Sequence, residues 1–253
     1  MYPQERHDWI VEKLKANKRI EVAEVATALN VTPETIRKDL AILEDAGVLK
    51  RVHGGAIFVE RLRFEATLDS RDQAERSEKE AIAKRAIEEI PEGGSIILDS
   101  GTTTSRIAQH IPDDRELMVV TNSVPISLSL ALKPNLNVLL IGGRIRTRTA
   151  ATVDSWALEA LSEIRVNVAF IGTNGISIER GFTTADPSEA AVKRAMVAAA
   201  KRVVIVADHT KYGDEKFVRF ASLSDVDLLI TDEGLTKGDL MSLVSAGLQV
   251  VTA

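Results

Sequence analysis

The chain contains no cysteine. That absence removes disulfides, thiolate zinc sites, iron–sulfur clusters and cysteine nucleophiles together, and it fits a reducing compartment. The four histidines, His7, His53, His110 and His209, show no ligand spacing, and no H-E-x-x-H occurs, so no metal site is expected. No strand-like run leads into G-x-G-x-x-G and no G-x-x-x-x-G-K-[ST] is present, which leaves dinucleotide and nucleoside-triphosphate readings without their fingerprints. No stretch approaches the roughly 18 apolar residues of a membrane helix. The opening MYPQERHDWI carries no apolar signal core. A cytoplasmic protein with no membrane partner is expected. No internal repeat or low-complexity tract is visible.

What is present is ordinary globular composition: 253 residues, 45% hydrophobic and 27% charged, with a net charge of −5. That length allows one large domain or two unequal ones. The charge is unevenly placed, residues 1–63 carrying +1 and residues 64–253 carrying −6. The texture changes at the same point, from short amphipathic helical patterns to apolar runs alternating with helical ones. The expected division is a first domain over 1–58, a linker over 59–76 and a second domain over 77–253.

In the first sixty residues, Gln4–Lys15 and Glu21–Leu29 each place apolar side chains at helical spacing. Thr32-Pro33 then supplies an N-cap hydroxyl and a proline at the first helical position. That third helix is expected to run to about Ala46, with Gly47 as its stop. Val48–Val52 and Ala56–Val59, joined through His53-Gly54-Gly55, read as a hairpin. Helix, helix, turn, helix and hairpin is the order of a winged helix-turn-helix. On the third helix, Ile36, Leu40 and Leu43 cluster on one side and face the core. Glu34, Thr35, Lys38 and Ile42 lie opposite, with Arg37 on a flank. Such side chains suit a major groove, and Lys50, Arg51 and His53 of the wing are placed to reach backbone or minor groove. Asp39, Glu44 and Asp45 offset the basic residues in the count. The competing reading is a docking module with a solvated charged face.

Beyond the linker, Ser77-Glu-Lys-Glu80 reads as a capping box ahead of a helix to about Ile90. Apolar strands at Ser95–Leu98, Leu117–Val120, Val138–Ile141, Val168–Ile171 and Val203–Ala207 are each followed by a polar or glycine-rich loop. Val226–Thr231 and Gln249–Thr252 supply further strands, with helices between. The expected class is α/β, a mainly parallel, doubly wound sheet whose strand ends share one ligand-binding edge. Asp99, Ser100, Gly101, Thr102, Thr103 and Thr104 form a strand-to-helix turn rich in hydroxyls and outward N–H groups, a pattern suited to a phosphate. Asn122, Ser123, Gly142, Gly143, Gly172, Asn174, Gly175, Asp208 and Lys211 lie in the other loops. Glu189 and Lys193 also stand as candidates, although their spacing alone reads better as a surface i,i+4 pair.

Val22-Ala-Glu-Val-Ala-Thr-Ala-Leu29, Val31-Thr-Pro-Glu-Thr-Ile-Arg-Lys-Asp-Leu40 and Gly47-Val-Leu-Lys-Arg-Val-His-Gly-Gly-Ala56 resemble the DNA-binding domain of DeoR-type bacterial transcriptional regulators. Asp99-Ser-Gly-Thr-Thr, Val120-Thr-Asn-Ser, Ile141-Gly-Gly, Phe170-Ile-Gly-Thr-Asn-Gly-Ile, Gly181-Phe-Thr-Thr, Glu189-Ala-Ala-Val-Lys-Arg-Ala-Met and Ala207-Asp-His-Thr-Lys211 resemble the sensor domain of the same family. The resemblance covers nearly the whole chain in order. It implies a regulator, typically a repressor, with operator DNA and a phosphorylated sugar as partners and a sensor fold similar to ribose-5-phosphate isomerase. It implies no cofactor and no catalytic residue. Thr32, Glu34, Thr35, Arg37, Lys38, Lys50, Arg51 and His53 are then the candidate DNA contacts, and the loop residues above are the candidate effector site. Lys38 stands where relatives usually carry arginine, and Asp154 where they usually carry glycine. The enzyme alternative would use Asp99, Glu189 or Asp208 as a general base in an isomerisation. A nearly neutral reader makes few phosphate contacts, so a homo-oligomer, dimer or tetramer, is expected to hold several readers together.

Overall fold

A computed structural model describes residues 3–17, 19–45, 48–58 and 68–253. Ala46 and Gly47, read as the end and stop of the third helix, and all of residues 59–67, with Val59, lie outside the described residues. The chain divides into two compact units, 1–66 and 67–253.

The first unit runs α1 (Pro3–Asn17), β1 (Arg19–Glu21), α2 (Val22–Ala28), α3 (Pro33–Asp45), β2 (Leu49–Val52) and β3 (Gly55–Phe58). Its core joins Ile10 and Leu14 of α1, Val25 and Ala26 of α2, and Ile36, Leu40 and Leu43 of α3. The apolar spacing of each helix is thereby used against the other two. The three strands form one antiparallel sheet in the order β1-β3-β2. The strand β1 has no counterpart in the sequence reading, because Ile20 is its one inward residue and three residues show no period.

The second unit begins with α4 (Leu68–Gln73) and α5 (Arg76–Ala86). Helical structure therefore reaches back into the span read as linker. Ser77 does not cap α5: the helix starts at Arg76 after Glu75, and the Ser77 hydroxyl donates to Glu78 Oε2 at 2.9 Å. It sits inside the first turn, two residues past the cap position at Glu75. The chain continues through β4 (Gly93–Leu98), α6 (Thr102–His110), β5 (Glu116–Thr121), α7 (Val124–Leu130) and β6 (Leu136–Leu140). Next come the hairpin β7 (Arg144–Arg146) and β8 (Ala151–Val153), then α8 (Ser155–Ser162) and β9 (Val166–Gly172). The remainder is β10 (Gly175–Ser177), β11 (Gly181–Thr184), α9 (Pro187–Ala199), β12 (Ala200–Val206), β13 (Val218–Ala221), β14 (Leu228–Thr231), α10 (Lys237–Ser245) and β15 (Val250–Thr252).

Seven of these strands form a parallel sheet in the order β15-β14-β12-β9-β4-β5-β6. Alternate residues feed opposite faces. Ile97, Ala169, Ile171, Val203 and Ile205 pack into one apolar cluster, and Ile96, Leu98, Val168, Phe170, Val204 and Val206 into the other. Strands β10, β11 and β13 make a separate small antiparallel sheet. From β4 the chain first builds outward through β5 and β6, then returns to lay β9 on the other side of β4. The winding direction reverses between β4 and β9, and the crevice at such a reversal is where open α/β sheets bind ligands.

Candidate functional site

In the first unit, Thr32 opens α3, its Oγ1 accepting from the Thr35 amide at 3.2 Å. Glu34, Arg37, Lys38 and Ile42 are exposed on the side of α3 away from Leu40, while Thr35 is half-buried. Arg37 Nη1 lies 3.2 Å from Glu34 Oε2, with both side chains largely in solvent. Such a pair is worth at most about 1 kcal/mol and is readily exchanged for a base edge or phosphate. Arg37, Arg51 and His53 border one groove between α3 and the wing, so structure brings together residues far apart in sequence. Lys50 is exposed on β2. Arg51 is oriented by Glu44, which takes its Nε at 2.6 Å and its amide at 2.8 Å.

Asp39 does not belong to the solvated charge of this helix. It is 3% exposed and accepts from Arg6 Nε at 2.5 Å and Nη2 at 2.9 Å, with His7 Nε2 at 3.0 Å. Burial works to raise its carboxyl, but Arg6 and His7 outweigh that and hold it below the ordinary aspartate range.

In the second unit, a polar pocket lies at the reversal between β4 and β9. Ser100, Gly101, Thr102, Thr103, Thr104, Gly172, Asn174, Glu189, Lys193, Asp208 and Lys211 line it together. Arg71, Lys79, Thr149 and Thr173 also line it and were not singled out in the sequence. Nothing local marks Arg71 and Lys79, which read as ordinary charges of a linker and a surface helix.

Beneath the pocket, Asp99 Oδ2 accepts from the Gly172 amide at 3.1 Å and from Lys193 Nζ. Lys193 also donates to the Gly172 carbonyl at 2.9 Å. One buried ion pair thus ties the ends of β4 and β9 to α9. Burial drives the Asp99 carboxyl above its ordinary range, opposed by the Lys193 ammonium. Glu189 and Lys193 therefore form no surface pair. Both are buried, and Glu189 Oε1 instead accepts from Thr149 Oγ1 at 2.6 Å and Arg146 Nη1 at 3.1 Å.

Asp208 is 1% exposed. Its Oδ1 accepts from the Thr210 amide at 3.2 Å and lies 3.4 Å from Lys211 Nζ. Its Oδ2 is buried with no hydrogen-bond partner. Burial pushes this carboxyl up, but Lys211, the Thr210 hydroxyl and Lys79 together keep it below the usual range. Asp208 lines the pocket, and a buried carboxylate oxygen without a donor is costly, a cost that a ligand hydroxyl reaching it would relieve.

Other candidates act behind the pocket or away from it. Asn122 is buried, its Oδ1 accepting from the Ser100 amide at 3.1 Å and its Nδ2 donating to the Thr152 carbonyl at 3.1 Å, so it braces the loop from below. Ser123 caps α7 through the Ile126 amide. Gly142 and Gly143 precede the β7–β8 hairpin. At Gly143, φ is +139° and a Cβ would fall 2.5 Å from the Val153 carbonyl oxygen, so that glycine serves packing. Gly175 opens β10, where a Cβ would meet the Asp214 carbonyl at 2.3 Å. Asp154 adopts φ +77° before α8, the left-handed backbone that favours glycine, and Arg144 Nε holds its Oδ2 at 2.6 Å. His209 is paired with Asp232 at 2.7 Å. Among the described residues no group of three or more side chains could hold a metal ion, and no helix is long and apolar enough to cross a membrane.

A winged helix-turn-helix and an α/β unit with a polar strand-end pocket define a class: a DNA-binding regulator that carries its own ligand-sensing domain. Residues 6–61 match the model of the DeoR-like helix-turn-helix domain, and residues 74–233 that of the DeoR C-terminal sensor domain. The chain belongs to the DeoR family of transcriptional regulators. It is similar to the HTH-type transcriptional regulator GlpR of Haloferax volcanii, at 39% identity over 99% of this chain and 98% of that protein. It is also similar to the glycerol-3-phosphate regulon repressor of Escherichia coli K12, at 30% identity over 90% of each. These relatives are named as regulators, not enzymes, and this chain too is a regulator. A solved ribose 5-phosphate isomerase A from Methanocaldococcus jannaschii matches 55% of each chain at 15% identity with a TM-score of 0.41, too slight a likeness to carry an argument.

Proposed function

We propose that the protein represses genes of carbohydrate metabolism and that a phosphorylated sugar bound in the strand-end pocket controls its affinity for operator DNA. In this reading residues 1–58 read DNA, residues 59–76 connect, and residues 77–253 sense the ligand with the help of α4. The observation that carries it is the pairing of two unlike ends in one pocket. The first turn of α6, with Ser100 to Thr104, offers amides and hydroxyls to an anion, while the orphaned Asp208 Oδ2 calls for a hydroxyl donor. A polyol monophosphate has both. The regulon named for the Escherichia coli relative supports a ligand of this kind.

A thermal-shift screen of sugar and polyol phosphates against the full chain tests this. A true effector at about 100 times its Kd stabilises the sensor by roughly 2.7 kcal/mol. Its dephosphorylated form should give no shift, and the same compound should change retardation of operator DNA. A screen in which no phosphorylated compound shifts the melting temperature would refute the reading.

On the DNA side, Arg37 is the base reader of this proposal, Lys38 lacking the bidentate fork of arginine. Arg37→Ala is expected to cost about 1–3 kcal/mol of operator binding and to relax preference at one base pair. Lys38→Ala should weaken all sequences alike. Titrations against operator variants separate the two, and an unchanged preference in Arg37→Ala would remove Arg37 from that role. The reader's near-neutral charge implies weak binding by one copy, so the proposal includes a homo-oligomer, dimer or tetramer, that presents several readers at once.

A further inference from the structure

Three lysines line the pocket, and two of them are already committed. Lys193 is paired with Asp99, and Lys211 with Asp208. The third, Lys79 of α5, is 4% exposed and, among the described residues, has no carboxylate within salt-bridge distance. Its Nζ instead donates to the carbonyls of Arg71, at 2.7 Å, and Ala74. Arg71 lies in the last turn of α4 and Ala74 directly follows its end, where carbonyls without partners within the helix favour a cation. An ammonium has three N–H donors, and two are used in this way. Burial pulls its pKa down, and the nearby Asp208 carboxylate, which makes no direct ion pair with it, opposes that only in part.

The helix α4 is held from a second side as well. Arg106 of α6, itself buried, donates through Nη2 to Asp72 Oδ1 at 2.7 Å and to the Asp72 carbonyl at 3.3 Å. Cations of the two helices beside the pocket, α5 and α6, therefore fasten α4. In sequence α4 is the first described element after residues 59–67, which lead back to the DNA-reading unit.

We propose that Lys79 is the anion-binding cation of this pocket, and that by holding the last turn of α4 at the same time it makes ligand occupancy fasten the segment that leads to the DNA reader. The proposal rests on the reading of the pocket as the site of a phosphorylated ligand and adds to it the residue and the element that carry the signal. The third N–H of Lys79 goes to the anion while the other two keep α4 in place. Asp208 acts on Lys79 only through space, so an anion bonded to Nζ supplies the direct partner that Lys79 lacks, and filling the pocket strengthens the whole bridge from ligand to α4. A Lys79 that merely caps α4 would give the same hold whether the pocket is full or empty.

The test is hydrogen exchange of residues 68–75 in the full chain, with and without saturating inorganic phosphate and, separately, glycerol 3-phosphate, alongside thermal shifts with the same compounds. In the wild type, a compound that raises the melting temperature should slow exchange in 68–75 about tenfold. Lys79→Met should weaken binding roughly ten- to hundredfold, the value of one charge-assisted hydrogen bond. Exchange in 68–75 should then no longer respond at saturation, whereas Lys79→Arg should keep the response. A thermal shift in the wild type with unchanged exchange in 68–75 would overturn this proposal and leave the ligand reading standing. Unaltered affinity in Lys79→Met would overturn it too. No shift with any phosphorylated compound would remove both readings together. The wild-type exchange comparison decides the coupling even if Lys79→Met does not fold.

Discussion

Lys193→Met is expected to lower the unfolding free energy of the α/β unit by about 3–5 kcal/mol, the loss that follows when a buried ion pair keeps only one partner. Methionine fills nearly the same volume but leaves the Asp99 carboxylate, 1% exposed, without its counter-charge and the Gly172 carbonyl without its donor. Urea denaturation followed by circular dichroism measures the deficit. The pH dependence carries a sign that a packing defect would not. Burial already raises Asp99, and loss of the opposing ammonium raises it further. The native variant then binds a proton that the unfolded chain does not, so its stability grows as pH falls through the raised pKa. The deficit at pH 7 should exceed that at pH 5, and adding Asp99→Asn should recover part of it. A deficit under about 1 kcal/mol would show that the pair is not what ties β4, β9 and α9 together.

Asp39→Ala is expected to remove about 3 kcal/mol from the first unit, the low end for a buried pair that keeps only one partner. The recognition helix α3 is moored to α1 through this carboxylate, so operator binding should fail while the second unit unfolds as before. Asp39→Asn should fall between the two. The sign of the pH effect follows from a carboxyl held below its ordinary range. Its contribution is present above the unfolded aspartate pKa of about 3.9 and is lost as pH falls through the lower folded value. Calorimetry of the two units would register the effect. A first unit as stable in Asp39→Ala as in the wild type would place the mooring elsewhere.

Both residues show where reading the sequence stops. Asp39 sits between exposed Lys38 and buried Leu40, and helical spacing places it on the margin of the apolar face. Only the packing of α1 across α3 brings Arg6 over it, 33 residues away in the chain. Glu189 and Lys193 have the spacing of an exposed i,i+4 pair, yet each is drawn inward to a different partner, 40 and 94 residues distant. Lys79 is likewise one charge among many in Ser77-Glu-Lys-Glu80 until α4 is laid beside it. Asn122 reads as a ligand contact because it ends a strand. Its side chain bonds the Ser100 amide on one side and the Thr152 carbonyl of β8 on the other, and so ties the loop that carries Ser100 to that strand. The strands β1, β7, β8, β10, β11 and β13 are three or four residues each, too short for a period, and exist because a partner strand pairs with them.

The sequence by itself determined the two-part plan, the reading helix with its exposed and buried sides, the parallel sheet, and the hydroxyl-rich turn after the first strand of that sheet. These are local properties: apolar periods of 3.6 residues, unbroken Val/Ile/Leu runs, caps and turn residues all act over a few positions. The tertiary structure alone decided which strand ends meet at the reversal between β4 and β9, which charges are buried as partners, and that one lysine faces both the pocket and α4. Those outcomes depend on contacts between residues tens of positions apart. Electrostatic free energy depends on distance and burial, and neither is set until the chain has folded.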